Sequence, residues 1–576
     1  MRVSDYIIQY LRDEYKVDTI FTVSGGGCIF LIDSLGKTEG VKYIAPHHEQ
    51  AAAIAAEGYA RLNNKLGACI VTSGPGGTNA ITGTLCSWLD SIPVIVISGQ
   101  VNKEMTTNYT DLPLRQLGDQ EFNIIESVKN MTKFAKQINN SKDIKYYLDK
   151  ACKLATTGRP GPVWLDIPLN VQSENINPDE LEGWSDLEEL PEPTNIEIDK
   201  VLEEWSKAKK PLMIVGHGVR LSNGIDKLHQ LLGQVNIPTI TAVNGNDIVN
   251  SDYPYYYGRF GTHAQICANK LLSECDFLLT IGSRLYVRQT GYNFKGFAKQ
   301  AYKVHVDIDK GELDKPTLFS DLKIHSDAKK FIEKIVNKKI PQTDLKWIEE
   351  CDRINISSPK VLQRHRDNIN YVSHYAFLEK LSKLMPRDHH IVTSDGSANV
   401  VTMQVMDLTG DQRLITNTGC APMGYGLPAA IGASIHHKII CLEGDGSLHL
   451  NIQELQTVKH YNLPIKIILL NNDGYLSIKI SQKTFFNGNY VASEKNSGVS
   501  FPSFEKIVKA YDIPYTSIRK NADIETALES FLSCEGPCVC EVFTDPNEYH
   551  EPKVMAKLDQ SGKMIPGELE NIKWIE

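Results

Sequence analysis

Short apolar runs recur along the whole chain, each followed by a stretch with helical periodicity. They fall at 42–45, 68–72, 93–98 and 163–167, then at 212–215, 239–243, 277–281 and 304–307. The last group lies at 390–393, 439–442, 465–470 and 539–543. Several are continuous rather than alternating. Strands buried on both faces have this character, as in parallel sheets covered by helices. The pattern predicts an α/β protein with doubly wound, mostly parallel sheets.

Two stretches interrupt the rhythm. Residues 173–199 hold ten acidic residues, no basic one and three prolines, the composition of an acidic linker. Residues 343–370 are polar and charged, a second linker. Three blocks result: 1–172, 200–342 and 371–545. The polar tail 546–576 reads as a lid or a subunit arm. A length of 576 residues accommodates three or four domains.

Charge narrows the function. There are 61 basic and 70 acidic residues, a net charge of -9, so no basic surface for nucleic acid is expected. No run of eighteen apolar residues predicts a membrane span. The start, MRVSDYIIQYLRDEY, has no apolar signal core, and a cytoplasmic protein is expected. Twelve cysteines are scattered without a CxxC pair, which argues against a zinc ribbon. Cys538 and Cys540 share one face of a strand and suit packing.

The sharpest chemical signal is in the third block. The run 439–442 leads into Glu443-Gly444-Asp445-Gly446-Ser447, a carboxylate between glycines at the carboxyl end of a strand. Open parallel sheets bind ligands there. Asn451 and Glu454 have capping-box spacing, and Ile452, Leu455 and Val458 form a helical stripe. The next strand ends in Asn471-Asn472-Asp473-Gly474. Two neighbouring strand ends therefore each offer an oxygen ligand, from Asp445 and Asn472. A hard divalent cation such as magnesium suits that set, completed by a backbone carbonyl and diphosphate oxygens.

The stretch GDGSLHLNIQELQTVKHYNLPIKIILLNND resembles the cofactor-binding signature of thiamine-diphosphate enzymes, most closely acetolactate synthase large subunits. The resemblance implies Asp445 and Asn472 as side-chain ligands of Mg2+, Gly474 as backbone ligand, and Gly444, Gly446, Ser447 and Tyr475 as cofactor neighbours. Upstream, Gly419-Cys420-Ala421-Pro422-Met423-Gly424-Tyr425-Gly426 is similar to the segment that holds the thiazolium. Met423 matches the apolar residue that props the cofactor in a bent shape. Gly396 matches a diphosphate-contacting glycine, followed here by Ser397-Ala398 where the synthases usually show Gln-His.

In the first block, His47-His48-Glu49-Gln50 precedes an alanine-rich run with strong helix propensity. Taken alone, Glu49 reads as a helix-start carboxylate. By resemblance it is the glutamate that hydrogen-bonds the aminopyrimidine and promotes loss of the thiazolium proton. Ser73-Gly74-Pro75-Gly76-Gly77-Thr78-Asn79 lacks the Walker lysine. It resembles the family segment bordering the pyrimidine, which implicates Pro75 and Asn79. Gly25-Gly26-Gly27 matches a loop near the substrate oxygen, where backbone N–H groups can donate. Gln120 matches a synthase glutamine at the active centre, with Asp119 in place of the usual phenylalanine.

The central block resembles the small Rossmann-like domain of the same family. Gly258–His263 and Gly282–Arg288 are similar to stretches around an FAD that does no net redox work; FAD and an empty structural groove both stay open. The resemblance implies three thiamine-diphosphate-enzyme domains, a homodimer or homotetramer with sites at subunit interfaces, and cofactors thiamine diphosphate, Mg2+ and FAD. It implies decarboxylation of a 2-oxo acid, pyruvate foremost, with transfer of the two-carbon unit to a carbonyl acceptor. No tryptophan occurs in 475–483, where the synthases carry one. With Asp119 and Ser397-Ala398 this favours another ketone, an aldehyde or a nucleotide-linked keto sugar as acceptor. Acetolactate synthesis proper, a non-ligating decarboxylase and a non-catalytic scaffold are the alternatives.

Overall fold

The computed structural model describes residues 1–186, 188–558 and 560–575. Leu187, in the acidic linker, and Asp559 and Glu576, in the tail, lie outside the described residues.

Three six-stranded sheets carry the fold, and every pairing within them is parallel. The first comprises β1 (Thr19–Thr22), β2 (Lys42–Ile44), β3 (Gly67–Val71), β4 (Val94–Gln100), β5 (Phe134–Gln137) and β6 (Val163–Pro168). Its order is β2-β1-β3-β4-β6-β5. The second comprises β7 (Pro211–Val215), β8 (Thr239–Thr241), β9 (Tyr256–Arg259), β10 (Phe277–Ile281), β11 (Tyr302–Asp307) and β12 (Leu322–His325), ordered β12-β11-β10-β7-β8-β9. The third comprises β13 (His389–Thr393), β14 (Leu414–Ile415), β15 (Lys438–Gly444), β16 (Ile465–Asn471), β17 (Tyr515–Ile518) and β18 (Cys538–Phe543), ordered β14-β13-β15-β16-β18-β17. The expected α/β architecture is present.

The continuous apolar runs are the strands buried on both faces: β3, β4, β7 and β10 have no exposed residue. Cys538 and Cys540 pack side by side in the core, both as free thiols.

One hydrophobic core spans the first and third domains. Its centre is the crossing of helix Glu49–Asn63 with helix Gly426–Ala433. A Cβ on Gly58 would sit 2.2 Å from the Ala429 carbonyl oxygen, and one on Gly432 1.8 Å from that of Ala55. Only glycine admits backbones this close. The crossing fixes the Glu49 helix against the segment that follows Met423.

Among the described residues no helix is long and apolar enough to cross a membrane.

Candidate active site

Asp445 opens the short helix Asp445–Leu450 directly after β15. Its Oδ1 accepts the Gly446 N–H at 2.7 Å, and its Oδ2 accepts those of Asn472 at 3.0 Å and Gly474 at 3.2 Å. The carboxylate thus ties two neighbouring strand ends together. Burial pushes the carboxyl up to about 7, against the pull of those backbone donors. Beside it, the buried Asn472 Oδ1 has no hydrogen-bond partner. An unpartnered buried acceptor next to a desolvated carboxylate calls for a cation. The residues present therefore fit the magnesium set expected from the sequence: Asp445, Asn472 and the Gly474 carbonyl.

Met423, Gly446 and Tyr475 converge on one point. A Cβ on Gly446 would lie 2.3 Å from the Tyr475 ring and 3.1 Å from the Met423 methyl. Ser447 Oγ accepts the Gly424 N–H at 2.8 Å, joining the Met423 loop to the turn of Asp445. Gly444 has open space where its side chain would be.

The capping box expected at Asn451 and Glu454 does not form. The helix Glu454–His460 is preceded by Gln453 and has no side-chain cap. Asn451 instead donates to the Gly424 carbonyl at 2.7 Å, and Glu454 accepts the His47 N–H at 3.0 Å. Contacts to the Met423 loop and the first domain outcompete the local cap.

Glu49 is likewise left out of the expected local cap. His48, not Glu49, caps the helix: its Nδ1 accepts the Gln50 N–H at 3.1 Å. The Glu49 Oε2 accepts from Asn79 Nδ2 at 2.9 Å. Asn79 lies one turn into helix Pro75–Asp90, behind Gly74 at φ +57°. Gln120 is exposed, with φ +57°, and its carbonyl presses on Gly74. A non-glycine residue in that region costs energy and marks a constrained loop. Glu49, Pro75, Asn79 and Gln120 are therefore one neighbourhood. Gly25 is crowded against the Thr72 side chain, whereas Gly26 faces open space. Gly396 (φ +80°) precedes helix Ser397–Val405.

The sequence reading missed a buried charge cluster beneath the Met423 loop. Arg61 donates to Glu57 and Asp90, both at 2.6 Å. Asp90 accepts the backbone N–H groups of Thr418 (3.0 Å) and Gly419 (2.9 Å). Asn417 donates to Glu57 and accepts from the Cys420 and Ala421 N–H groups. Gly419 is thus engaged by the first domain. Glu57 and Arg61 sit in the alanine-rich helix with the spacing of an ordinary i,i+4 ion pair, and nothing local marks them as buried with Asp90 and Asn417, which lie 29 and 360 residues away.

Three family models match in chain order. The thiamine pyrophosphate enzyme N-terminal TPP binding domain matches residues 1–126, the central domain 198–335 and the C-terminal TPP binding domain 395–542. The chain belongs to the thiamine pyrophosphate enzyme family. Thiamine diphosphate is the cofactor of its first and third domains. The chain is similar to the acetolactate synthase isozyme 2 large subunit of Escherichia coli (strain K12), 32% identical over 560 residues, covering 96% of this chain and 97% of that protein. It is similar to a probable acetolactate synthase large subunit of Methanococcus aeolicus, 32% identical, covering 95% and 92%. The acetolactate synthase large subunit of Lactococcus lactis subsp. lactis (strain IL1403) is 30% identical, covering 98% and 96%. This thiamine pyrophosphate enzyme is acetolactate-synthase-like across nearly its whole length.

Proposed function

We propose that the protein decarboxylates a 2-oxo acid, pyruvate foremost, and joins the remaining two-carbon unit to a carbonyl acceptor. The observation that carries this is the Asp445–Asn472 oxygen pair beside the Met423–Gly446–Tyr475 cradle, with a separately oriented Glu49–Asn79 pair. The bound cofactor supplies the electron sink for loss of carbon dioxide. Asp445, Asn472 and the Gly474 carbonyl would hold Mg2+ at its diphosphate. Met423 would support it from the apolar side. Glu49, aimed by Asn79, holds a proton at the cofactor's pyrimidine. The Gly25–Gly26 N–H groups and Gln120 face the substrate.

Two acceptors are supported by different observations. The names of the relatives favour a second 2-oxo acid, giving acetolactate. Asp119, Ser397-Ala398 and the tryptophan-free stretch 475–483 favour another ketone, an aldehyde or a nucleotide-linked keto sugar. Mass spectrometry of products from pyruvate alone, then with each acceptor class added, decides between them. Acetaldehyde as the sole product in every mixture overturns ligation.

We also propose FAD for the cavity between the first and central domains, lined by Asp90, Arg159, His217, Ser283 and Asp307 among others. His217 Nδ1 and Nε2, Asn244 Oδ1, Ser283 Oγ, Tyr286 OH and Thr418 Oγ1 are buried there without partners. Such orphans suit a polar ligand. Protein purified without flavin colour, and not stabilised by added FAD, removes that assignment. A homodimer or homotetramer, with Glu49 serving the partner's cofactor, is the proposed assembly. It is supported by the exposed Tyr109, Leu112, Leu114, Leu117 and Phe122 on the loop that carries Gln120. Sedimentation of a monomer in the active protein excludes it.

A further inference from the structure

The tail inserts one residue at the Gly396 turn. His550 Nε2 lies 2.8 Å from Ser397 Oγ, and both side chains are buried. Ser397 is the first residue of helix Ser397–Val405.

The tail around His550 is pinned residue by residue. Glu548 accepts from the Ser373 hydroxyl at 2.5 Å and from the His374 N–H and Nδ1 at 2.8 and 2.6 Å. The Glu551 N–H donates to Tyr375 OH at 2.7 Å, and its carboxylate pairs with Arg364 and His365. The Pro552 carbonyl accepts from Gln404 Nε2 at 2.7 Å, and Gln404 belongs to the same helix as Ser397. With fixed points on both sides, His550 has one place to go. Burial holds its imidazole neutral, so the ring carries a single N–H.

That single proton decides what Ser397 can do. If Ser397 donated to Nε2, its oxygen would offer only lone pairs, which repel an anion. If Nε2–H donates to Ser397 Oγ, the hydroxyl hydrogen is released for an anionic acceptor, where a charge-assisted hydrogen bond is strongest.

We propose that His550, delivered by the tail, is a positioning residue for the cofactor's diphosphate, donating through Nε2–H to Ser397 so that the Ser397 hydroxyl donates to a diphosphate oxygen. This rests on the thiamine diphosphate site proposed above. An imidazole from the far end of the chain then serves the turn where the sequence has Ser397-Ala398 instead of Gln-His.

The test is titration of the full-length protein with thiamine diphosphate, and separately with thiamine, in excess Mg2+, read by calorimetry. Ser397→Ala and His550→Ala are each expected to weaken thiamine diphosphate about tenfold. The double variant should be no weaker than Ser397→Ala. Thiamine, lacking the diphosphate, should bind all of them alike. His550→Gln, which keeps an N–H near the Nε2 position, should bind like wild type. Should His550→Ala fail to fold, His550→Phe, which fills the same space without an N–H, replaces it on the same criteria, alone and combined with Ser397→Ala. Wild-type affinity in His550→Ala, additive losses in the double variant, or equal weakening of thiamine each overturn the role of His550 while leaving the cofactor site intact. A wild-type protein that binds no thiamine diphosphate overturns both.

Discussion

Asn79 donates its side-chain amide to the Glu49 carboxylate at 2.9 Å, joining the first turns of two helices. Because His48 has taken over the cap, Glu49 spends no oxygen on its own helix. Removing the charge of Glu49 is expected to leave the packing intact and to delete the proton-holding role proposed for it. Glu49→Gln is expected to bind thiamine diphosphate normally and to turn over at least about a hundredfold more slowly. Asn79→Ala should cost less, about tenfold in kcat, since it disorients the carboxylate without removing it. Single-turnover decarboxylation with binding measured in parallel checks both.

Asp445 organises its surroundings within the protein itself, through three backbone N–H groups. Asp445→Ala removes a charge and leaves three donors unpartnered. Mg2+-dependent binding of thiamine diphosphate should be lost, with a cost of about 1–3 kcal/mol in stability without cofactor. Asn472→Ala, which deletes an acceptor that is already unpartnered, should lose Mg2+ dependence without destabilising the metal-free protein. Calorimetry with and without Mg2+, beside thermal melts, separates the two.

Gly446 is the residue over which Tyr475 and Met423 close. Gly446→Ala drives a methyl into the Tyr475 ring, which must shift. Overpacking of this kind costs about 1–3 kcal/mol. The larger effect should be on the cofactor: weakened binding, partly restored by Tyr475→Ala in the same chain. Equal affinity in wild type and Gly446→Ala would show that the cradle does not hold the ring.

Most interior strands are legible because burial on both faces leaves an unbroken apolar run, as in β4 or β16, but the short interior strand β1 is not, and the edge β2 is. The edges β5, β9, β12, β14 and β17 were not read. They are short, and runs such as Phe134-Ala135-Lys136-Gln137 mix polar with apolar residues. At the site, Asp445 and Asn472 are marked by glycine-bounded turns at strand ends, whereas Met423 is marked only by the family resemblance. Asp90, Arg61 and His550 have neither mark. Asp90 ends a helix before Ser91 and Arg61 lies within another, so their pairing across 29 residues has no local mark, and His550 sits in a polar tail whose partner Ser397 is 153 residues away. The failed Asn451–Glu454 cap shows the same physics in reverse: a locally correct signal lost to longer-range hydrogen bonds.

A second seam, between the central and third domains, is held by Asp247. Burial alone would raise its carboxyl, but the Arg220 and Arg413 guanidinium groups hold it well below the usual carboxylate range. A carboxyl depressed in the folded state stabilises above its unfolded value and loses that contribution as pH falls through the folded one. The seam should therefore be indifferent to pH near neutrality and weaken under strong acid. Asp247→Asn leaves two largely buried guanidinium groups without a countercharge, at about 3–5 kcal/mol. Its melting temperature at neutral pH should fall well below wild type, and the gap should narrow in acid, where wild type loses the same charge. A gap that stays constant across the acid range would mean that Asp247 acts through shape and not through charge.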